Sequence, residues 1–408
     1  MKPGWEVKPL GEVCRLELGS TPQRKNPKFW DDEKITRNVW LSIADMTAVN
    51  GKKIDDSKEY VSDIAAAKMK LVPEGTLILS FKLSLGRVAI TGRDLRTNEA
   101  IVAIHDLDAK RVNREYLYWY FSFFDWNAAA ANDEKLKGKT LNKAKLKVQP
   151  VIIPPLEEQK RIVAVLDAAF EGLTRAKENA ETNLQNAREL FVACREEAFD
   201  ANQEGWSLTK LETLFTIKHG FAFKSEFFTQ VGDYVLLTPG NYFETGGYRD
   251  RGEKQKFYVG EIPEGYILHE GDLLVAMTEQ AVGLLGSCIL VPEPDRFLHN
   301  QRLGLIEAKE GIEWHAPFFA EAFNLVEFRQ ALTRSSTGIK VRHTSPSKIG
   351  DECVPVPKSL SEQIIVAEKL QAIQAEVKQA KAHYTTKLTD IADLRQSLLQ
   401  KAFAGELT

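Results

Sequence analysis

Basic and amide side chains stand next to glycine in six short segments of this 408-residue chain. Lys and Arg suit the phosphates of a nucleic acid, and backbone amides beside glycine can approach those phosphates closely. Gln, Asn, Ser, Thr and Arg can form hydrogen bonds to base edges in the major groove. One such segment alone is most often a solvated loop, but six together predict a nucleic-acid-binding surface. The segments are 19–25, 80–87 and 137–143 in the first half of the chain, and 218–225, 277–283 and 334–343 in the second.

The residues in and beside these segments form two candidate sets. The residues expected to contact phosphates are Arg24, Lys25, Lys82, Lys139, Lys224, Lys340 and Arg342. The residues expected to read bases are Gln23, Asn98, Thr278, Gln280, Gln301 and His343. Both sets draw on both halves of the chain, so we expect each half to have its own reading surface.

The sequence lacks the patterns that catalysis would need. It has neither a GxxxxGK[ST] phosphate loop nor a GxGxxG turn after a strand, which argues against nucleotide and dinucleotide binding. Asn26-Pro27-Lys28-Phe29 loosely resembles the catalytic loop of DNA amino-methyltransferases, but Lys28 takes the place of a proline there. The four cysteines and seven histidines are too dispersed for a metal site. We therefore predict a chain with no catalytic residues, no metal and no cofactor of its own.

The charge distribution favours nucleic acid in one half only. The formal net charge of −3 speaks by itself against a nucleic-acid partner. Residues 1–156 hold 26 Lys and Arg against 20 Asp and Glu, whereas residues 205–357 hold 15 against 20. The first region can therefore hold DNA through its overall field, and the second depends on a few well-placed basic residues.

An internal repeat with a period of about 200 residues organises the chain. Gly4-Trp5 recurs as Gly205-Trp206, and Leu156-Glu157-Glu158-Gln159 recurs as Leu360-Ser361-Glu362-Gln363. A long stretch without interior proline follows each copy of the second motif. Each stretch is too long to lie on a single 150-residue domain. We predict two long helices, with a matched apolar stripe on each.

The two stripes share one register, since every member of the second is the first plus 204. Their 3-4 spacing is typical of a coiled-coil seam. We expect the two helices to pair antiparallel within the chain; the alternative is homodimerisation through one helix. The first stripe is Ile162, Leu166, Ala169, Leu173, Ala176, Ala180, Leu184, Ala187, Leu190, Cys194 and Ala198. The second is Val366, Leu370, Ile373, Val377, Ala380, Tyr384, Leu388, Ile391, Leu394, Leu398 and Ala402.

The predicted fold class is two mixed α/β domains in tandem, separated by two long helices and related by a pseudo-two-fold repeat. Short strands punctuated by Gly and Pro precede one helical, aromatic-rich piece in each domain, at 114–131 and 314–333. No apolar run is long enough to span a membrane, so we expect a cytoplasmic protein. The predicted bounds are 1–155 and 203–357 for the domains, with 156–202 and 358–408 for the helices and tail.

These motifs resemble the specificity (S) subunits of type I restriction-modification systems. The resemblance covers nearly the whole chain, and it departs from the usual pattern at Glu99, where Gln is usual, and before the second helix, where Pro-Pro is missing. The motifs that carry it are Gly19-Ser20-Thr21-Pro22, Trp40-Leu41-Ser42-Ile43-Ala44-Asp45, Pro154-Pro155-Leu156-Glu157-Glu158-Gln159, Gly220-Phe221-Ala222-Phe223-Lys224-Ser225, Ser361-Glu362-Gln363 and the ending 402–408.

The resemblance implies a non-catalytic, double-stranded DNA-binding subunit with two target-recognition domains. Each domain reads one half of a bipartite target, while the helices set the spacing and dock two methyltransferase (M) subunits. Those subunits carry S-adenosylmethionine and methylate adenine N6. Restriction (R) subunits add ATP- and Mg-dependent cleavage.

Two other functions fit parts of the sequence. A coiled-coil scaffold without a nucleic-acid role agrees with the overall acidity. A self-contained DNA-modifying enzyme would need the cofactor and amino-methyltransferase motifs that the sequence lacks.

Overall fold

The computed structural model describes residues 2–49, 51–131, 134–135, 138–279, 283–338 and 341–407, with the backbone alone at 134–135 and 138–139. The chain divides into two compact units. Unit 1 comprises residues 1–180 and 386–408, and unit 2 comprises residues 181–385. Within the described ranges, no helix is both long and apolar enough to cross a membrane.

Unit 1 contains twelve short strands and six short helices among its described residues. The strands are β1 (Glu6–Pro9), β2 (Arg15–Leu18), β3 (Val39–Leu41), β4 (Lys53–Ile54), β5 (Glu59–Tyr60), β6 (Leu77–Ser80), β7 (Val88–Thr91), β8 (Arg96–Thr97), β9 (Ile101–His105), β10 (Glu134–Lys135), β11 (Gly138–Lys139) and β12 (Pro150–Ile153). The helices are α1 (Leu10–Val13), α2 (Ile43–Ala48), α3 (Asp63–Ala66), α4 (Arg114–Phe123), α5 (Trp126–Ala129) and α6 (Lys143–Lys147).

The central sheet of unit 1 is buried on both faces. Its strand order is β2-β9-β6-β7-β4, and β5-β3-β8 form a second sheet. Leu77 and Leu79 of β6 face one apolar cluster, whereas Ile78 between them faces another. Successive side chains of a strand point to opposite faces, so a strand covered on both faces is apolar throughout. This explains the continuous apolar run of β6 and of β9.

A long helix, α7 (Leu156–Ala198), follows β12, and the strands and short helices of unit 2 follow α7. The strands of unit 2 are β13 (Trp206–Lys210), β14 (Phe215–His219), β15 (Phe228–Thr229), β16 (Tyr234–Leu236), β17 (Phe257–Tyr258), β18 (Ile267–Leu268), β19 (Leu273–Ala276), β20 (Thr278–Glu279), β21 (Cys288–Leu290), β22 (Phe297–Leu298), β23 (Leu303–Ala308), β24 (Arg342–His343) and β25 (Cys353–Pro357). Its helices are α8 (Leu211–Leu214), α9 (Ala316–Ala322), α10 (Val326–Ser335) and α11 (Pro346–Asp351), and the second long helix is α12 (Leu360–Ala404).

The sheets of unit 2 repeat those of unit 1. The antiparallel order β14-β23-β19-β21 corresponds to β2-β9-β6-β7, and β13 pairs with β25 as β1 pairs with β12. A parallel pair occurs at the same place in each second sheet, β3 with β8 and β16 with β22. This matched topology confirms the predicted fold class: two mixed α/β domains in tandem with two long helices.

Both long helices are fastened to a unit by the first turn that carries the repeated Glu-Gln motif. The Trp5 indole donates to Glu158 at 3.1 Å, and Trp206 donates to Glu362 at 2.8 Å. The buried Gln159 accepts from the Asn113 amide at 2.8 Å and donates to two carbonyls. These bonds give the motif a structural role at the base of each helix.

In unit 1 the beginning of α7 packs against the end of α12. Ile162, Leu166 and Phe170 share one apolar cluster with Leu399 and Phe403. The Arg395 guanidinium also lies 4.7 Å from the centre of the Phe170 ring. The order is antiparallel, because early residues of one helix meet late residues of the other.

In unit 2 the end of α7 packs against the beginning of α12. Ala187 and Phe191 share one apolar cluster with Val377, and Phe199 shares another with Leu370. The helices therefore pair within one chain, as predicted, and each unit contains a part of both. The predicted four-segment division differs from the two compact units for this reason: each domain core continues into the helix ends.

The predicted stripe is correct near the helix ends and wrong at one matched pair of positions. Of the seam residues, Ile162, Leu166, Leu370, Val377 and Ile391 are buried, and Leu173, Leu184, Val366 and Leu388 are half-buried. Leu190 and Leu394, however, are exposed, and Phe191 is buried instead. A straight helix of 3.6 residues per turn drifts away from a 3.5-residue repeat, which moves the buried side by one position.

In each unit a glycine follows one strand of the main sheet and lets the backbone cross closely over a turn that contains an asparagine. A Cβ atom on Gly19, after β2, would lie 2.3 Å from the Asn98 carbonyl oxygen. A Cβ atom on Gly220, after β14, would lie 2.1 Å from the Asn300 carbonyl oxygen. Backbone atoms cannot yield as a flexible side chain can, so both crossings require glycine.

We predict that replacing a seam leucine destabilises the chain, whereas replacing an exposed leucine on the same helix does not. Leu166→Ala removes a fully buried side chain and should lower the free energy of unfolding by roughly 2–5 kcal/mol. Leu190→Ala, at a position that is 54% exposed, should change it by less than about 0.5 kcal/mol. Urea unfolding followed by circular dichroism measures both, and equal losses would contradict the seam.

Two glycine-to-alanine changes should shift stability in opposite directions. Gly220→Ala forces a methyl group onto backbone and should cost roughly 1–3 kcal/mol. Gly172→Ala, in the interior of α7 with open space around the added atom, should add roughly 0.5–1 kcal/mol. Thermal unfolding compares the two, and a neutral Gly220→Ala would show that the crossing tolerates a side chain.

Candidate nucleic-acid interface

Asn98 and Asn300 shape the turns at the two crossings. The side-chain oxygen of Asn98 accepts from the Ala100 amide at 3.0 Å, and that of Asn300 accepts from the Arg302 amide at 3.1 Å. A side-chain oxygen that bonds two residues on is the hallmark of an Asx turn. This role was missed, although an Asn before an apolar strand signals it. Base readout by Asn98 stays a prediction, and this turn places the residue beside the loop of Gln23.

Arg24 is oriented by neighbouring side chains, although half of its own side chain is exposed. Its guanidinium lies 4.3 Å from the centre of the Trp30 ring and 4.6 Å from that of Trp40. Glu59 accepts from both terminal nitrogens of Arg24, one of them at 3.2 Å. Stacking and a paired carboxylate orient the planar fork of an arginine. The Trp30 indole in turn donates to the Gln23 carbonyl at 3.3 Å, while the Gln23 side chain is exposed.

A shallow depression of about 340 Å³ lies beside Arg24. Lys25 and Lys58 line it together with Asp31 and Asp32. The basic residues are thus mixed with carboxylates, which the count of charges along the sequence did not reveal. A phosphate at this depression would meet both signs of charge.

Glu99 connects three parts of the candidate site in unit 1. Burial alone would raise the pKa of Glu99, but the Thr21 hydroxyl, a backbone amide and the charges of Lys82 and Arg24 outweigh it and lower that pKa. Lys82 itself is half-buried and pairs through its backbone with Thr140. The structure therefore brings the Gln23 loop, the Asn98 turn and Lys82 together. The Lys139 side chain lies outside the described residues.

In unit 2, the loop that contains Lys224 and the turn that contains Gln301 meet in the same way. The Gln301 amide donates to the Phe221 carbonyl at 2.9 Å, and both Gln301 and Lys224 have exposed side chains. The loop itself is anchored by aromatic packing, with the rings of Phe223 and Tyr258 4.8 Å apart. An apolar anchor thus replaces the arginine and tryptophans of unit 1.

The other predicted residues of unit 2 form a two-stranded ladder. Thr278 of β20 is opposite His343 of β24, and Glu279 is opposite Arg342. Glu279 is 3% exposed; one of its oxygens accepts from three successive amides, those of residues 283–285, at 2.9–3.0 Å. Its other oxygen lies 3.4 Å from Arg342. Gln280 and Lys340 lie outside the described residues.

Carboxylates next to the predicted basic residues are the main feature that sequence reasoning missed. Glu59 pairs with Arg24, and Glu279 pairs with Arg342. Each partner is remote in sequence, so no local pattern indicates it. Among the residues that the structure describes, no group of three or more His, Cys, Asp or Glu could hold a metal ion. A surface on which carboxylates hold the arginines in place can orient hydrogen-bond donors and acceptors toward a ligand.

Comparison with known proteins gives matches along both halves of the chain. The family model described as "Type I restriction modification DNA specificity domain" matches twice, over residues 2–184 and 203–383. The EcoBI specificity subunit of Escherichia coli is 32% identical over 207 residues, which are 50% of this chain and 40% of that protein. The MjaIX specificity subunit of Methanocaldococcus jannaschii is 24% identical over 53% of this chain and 52% of its own.

Solved structures show the same fold. A chain from a structure on the assembly and conformational transition of the type I R-M system has a TM-score of 0.74 at 17% identity, covering 100% of this chain and 99% of that one. The HsdS subunit from Thermoanaerobacter tengcongensis has a TM-score of 0.59 at 18% identity, covering 100% and 98%.

The aligned part spans about half the length, or less, of the two curated relatives. Both are named specificity subunits, in agreement with the prediction of a non-catalytic subunit. Two family matches, one in each half and together spanning most of the sequence, show that this chain belongs to the family of type I restriction-modification DNA specificity domains.

Proposed function

We propose that this chain reads a bipartite double-stranded DNA target, with one half-site for each unit. The observation that carries the proposal is the repeated crossing of a glycine over an asparagine turn, at Gly19 and at Gly220. The same frame presents different side chains in the two units: Arg24 lies against Trp30 and Trp40 in one, and Phe221 packs with Phe223 in the other. The same backbone arrangement with different side chains in the two units suits a target whose halves differ in sequence.

The paired helices act as the spacer between the two reading units in this proposal. Each helix has an apolar seam with the other in both units, which makes the pair stiffer than a single helix. Two different heads on one pseudo-symmetric chain suit an interrupted, asymmetric sequence, because the local dyad of a duplex matches a two-fold protein. The spacing between the half-sites then follows from the length of the helices.

The partners are two methyltransferase subunits and, with them, restriction subunits. S-adenosylmethionine, ATP and Mg would belong to those partners, and adenine N6 methylation needs the base outside the stack. The exposed Leu190 and Leu394 support docking of two identical partners, since they occupy equivalent positions of α7 and α12. Single exposed leucines are ordinary, but a matched pair offers the same apolar site twice.

Removing the side-chain amide of Gln23 should weaken sequence discrimination at one half-site and leave discrimination at the other unchanged. The Gln23 side chain is exposed and only its backbone oxygen has a described bond, so Gln23→Ala should fold normally. Loss of one base contact should reduce discrimination at one position by roughly 1–3 kcal/mol. Mapping methylated adenines in a host that carries the complete system measures this, with Gln396→Ala on the exposed side of α12 as the control.

The mirror change is His343→Ala in unit 2, which should relax the opposite half-site. A result in which either variant loosens both halves equally would mean that the two units do not read separately. An unchanged methylation pattern for both would show that these side chains do not contact bases.

Docking should depend on the matched leucines. Leu190→Ser combined with Leu394→Ser should weaken association with the methyltransferase subunit by about tenfold or more, with little change in stability because both positions are solvent-exposed. Analytical ultracentrifugation of the mixed subunits measures it. Ser substitution at the exposed Thr182 and Thr386 provides the control, and unaltered assembly of the leucine variant would place the docking surface elsewhere.

A further inference from the structure

A cavity of about 590 Å³ lies within unit 2, bordered by the end of α7, by α10 and by the loop after β20. Its described lining contains four arginines and one acidic residue, Glu244. The arginines are Arg195, Arg329, Arg334 and Arg342. Val192, Leu285 and Val326 supply apolar wall. Four guanidinium groups around one opening make an unusual cavity for a region whose net charge is negative.

Arg195 is the least satisfied of the four arginines. It is 3% exposed, and its Nε and Nη1 atoms are buried without a hydrogen-bond acceptor among the described residues. Glu321 and Glu196 approach it only to 3.6 and 3.8 Å, which is longer than a hydrogen bond. A buried charged donor without a hydrogen-bond acceptor is costly even beside carboxylates, so this group points to an acceptor beyond the described residues.

The nearby carboxylate compensates Arg195 incompletely. Burial raises the pKa of Glu321, and the neighbouring Arg195 offsets that rise only in part. Glu196 is the second carboxylate near Arg195, at 3.8 Å, and the buried Nε and Nη1 atoms still have no hydrogen-bond acceptor among the described residues. An added anion would supply the acceptor that these two nitrogen atoms lack.

Arg329 has a different task, which is to form the wall of the cavity. Its guanidinium donates to the carbonyls of Leu285 at 2.7 Å, Glu244 at 3.1 Å and Gly283, and to the Asn324 side chain at 3.1 Å. These bonds use its donors on the loops that border the opening. Arg342 is paired with the buried Glu279 at 3.4 Å, so Arg195 and Arg334 are the lining arginines that can face a ligand.

The equivalent place in unit 1 is filled with apolar side chains. The position 204 residues after Arg195 is Leu399, which is buried in the apolar core of unit 1. Gly86 abuts Trp126, whereas its counterpart Gly286 abuts Arg329 and Leu332. The fold therefore does not require arginine at this place, and its presence in unit 2 calls for another reason.

We propose that this cavity of unit 2 binds a phosphate group, with Arg195 as the residue that anchors it. A guanidinium fork matches the geometry of a phosphate, and the apolar wall suits the organic part of a phosphate ester. The phosphate belongs either to a free nucleotide or to the backbone of a duplex. This inference does not depend on base readout, because it concerns an anion site and not a sequence.

The test is calorimetric titration of the full-length chain with inorganic pyrophosphate and, separately, with adenosine monophosphate, at constant ionic strength. We expect saturable binding, and Arg195→Leu should weaken it by about tenfold or more. Leucine is the residue that unit 1 has at the equivalent position. Arg188→Leu, an exposed arginine two turns earlier on α7, makes the same change in charge and should bind within about twofold of the wild type.

Urea unfolding checks that Arg195→Leu is folded, and Arg195→Leu with Glu321→Gln is the second variant if the single one is not. Absence of saturable binding to the wild type, or an equal loss in Arg188→Leu, overturns the proposal. Competition by a short duplex separates the two sources. If the phosphate belongs to a duplex backbone, the duplex should displace pyrophosphate. Arg195→Leu should then also reduce the slope of the salt dependence of duplex binding, by about 0.9 for each phosphate that the variant no longer neutralises. A free nucleotide requires that neither occur, while failure of half-site reading would leave the pyrophosphate result unaffected.

Discussion

Closure of each apolar core by both long helices is the constraint on which the arrangement of the chain depends. In unit 1, Tyr116 and Leu166 share a cluster with Phe403, which comes from the far end of the sequence. Burying these side chains is the main source of stability, so unit 1 is complete only when α12 returns to it. A chain that must close this way keeps its two helices antiparallel and side by side in each unit.

The same constraint accounts for the repeated motif at the base of each helix. Glu158 and Glu362 each receive the indole proton of a tryptophan near the start of its own domain, 153 residues earlier in one unit and 156 in the other. Glu158 is buried and Glu362 is half-buried. A carboxylate that is removed from water is tolerated only when it is bonded, so each pair fixes the direction in which its helix leaves the domain. The two long helices therefore begin with the same geometry, because each is fixed by the same bond between a tryptophan and a glutamate.

The sequence was informative about the fold and much less so about the site. The length of the long helices, the repeat and the seam could be predicted, because an apolar stripe at 3-4 spacing is stable only when a helix buries it. The aromatic-rich pieces at 114–131 and 314–333, however, each form two helices where one was expected. The predicted residues depend instead on remote neighbours. Glu59 lies 35 residues from Arg24, and Glu279 lies 63 from Arg342, so the restraint on each arginine arises only when the sheets bring these segments together.

Comparison of the two units separates residues that the fold needs from residues that it leaves open. Glycine at the crossings and tryptophan at the helix bases occur in both units, because backbone contact and core packing impose them. Leu399 and Arg195 occupy equivalent positions yet differ in kind, and burying a guanidinium where leucine fits is unfavourable unless something offsets it. A position where one copy of a repeat accepts such a cost, while the other copy does not, is therefore more informative about recognition than any loop rich in charge.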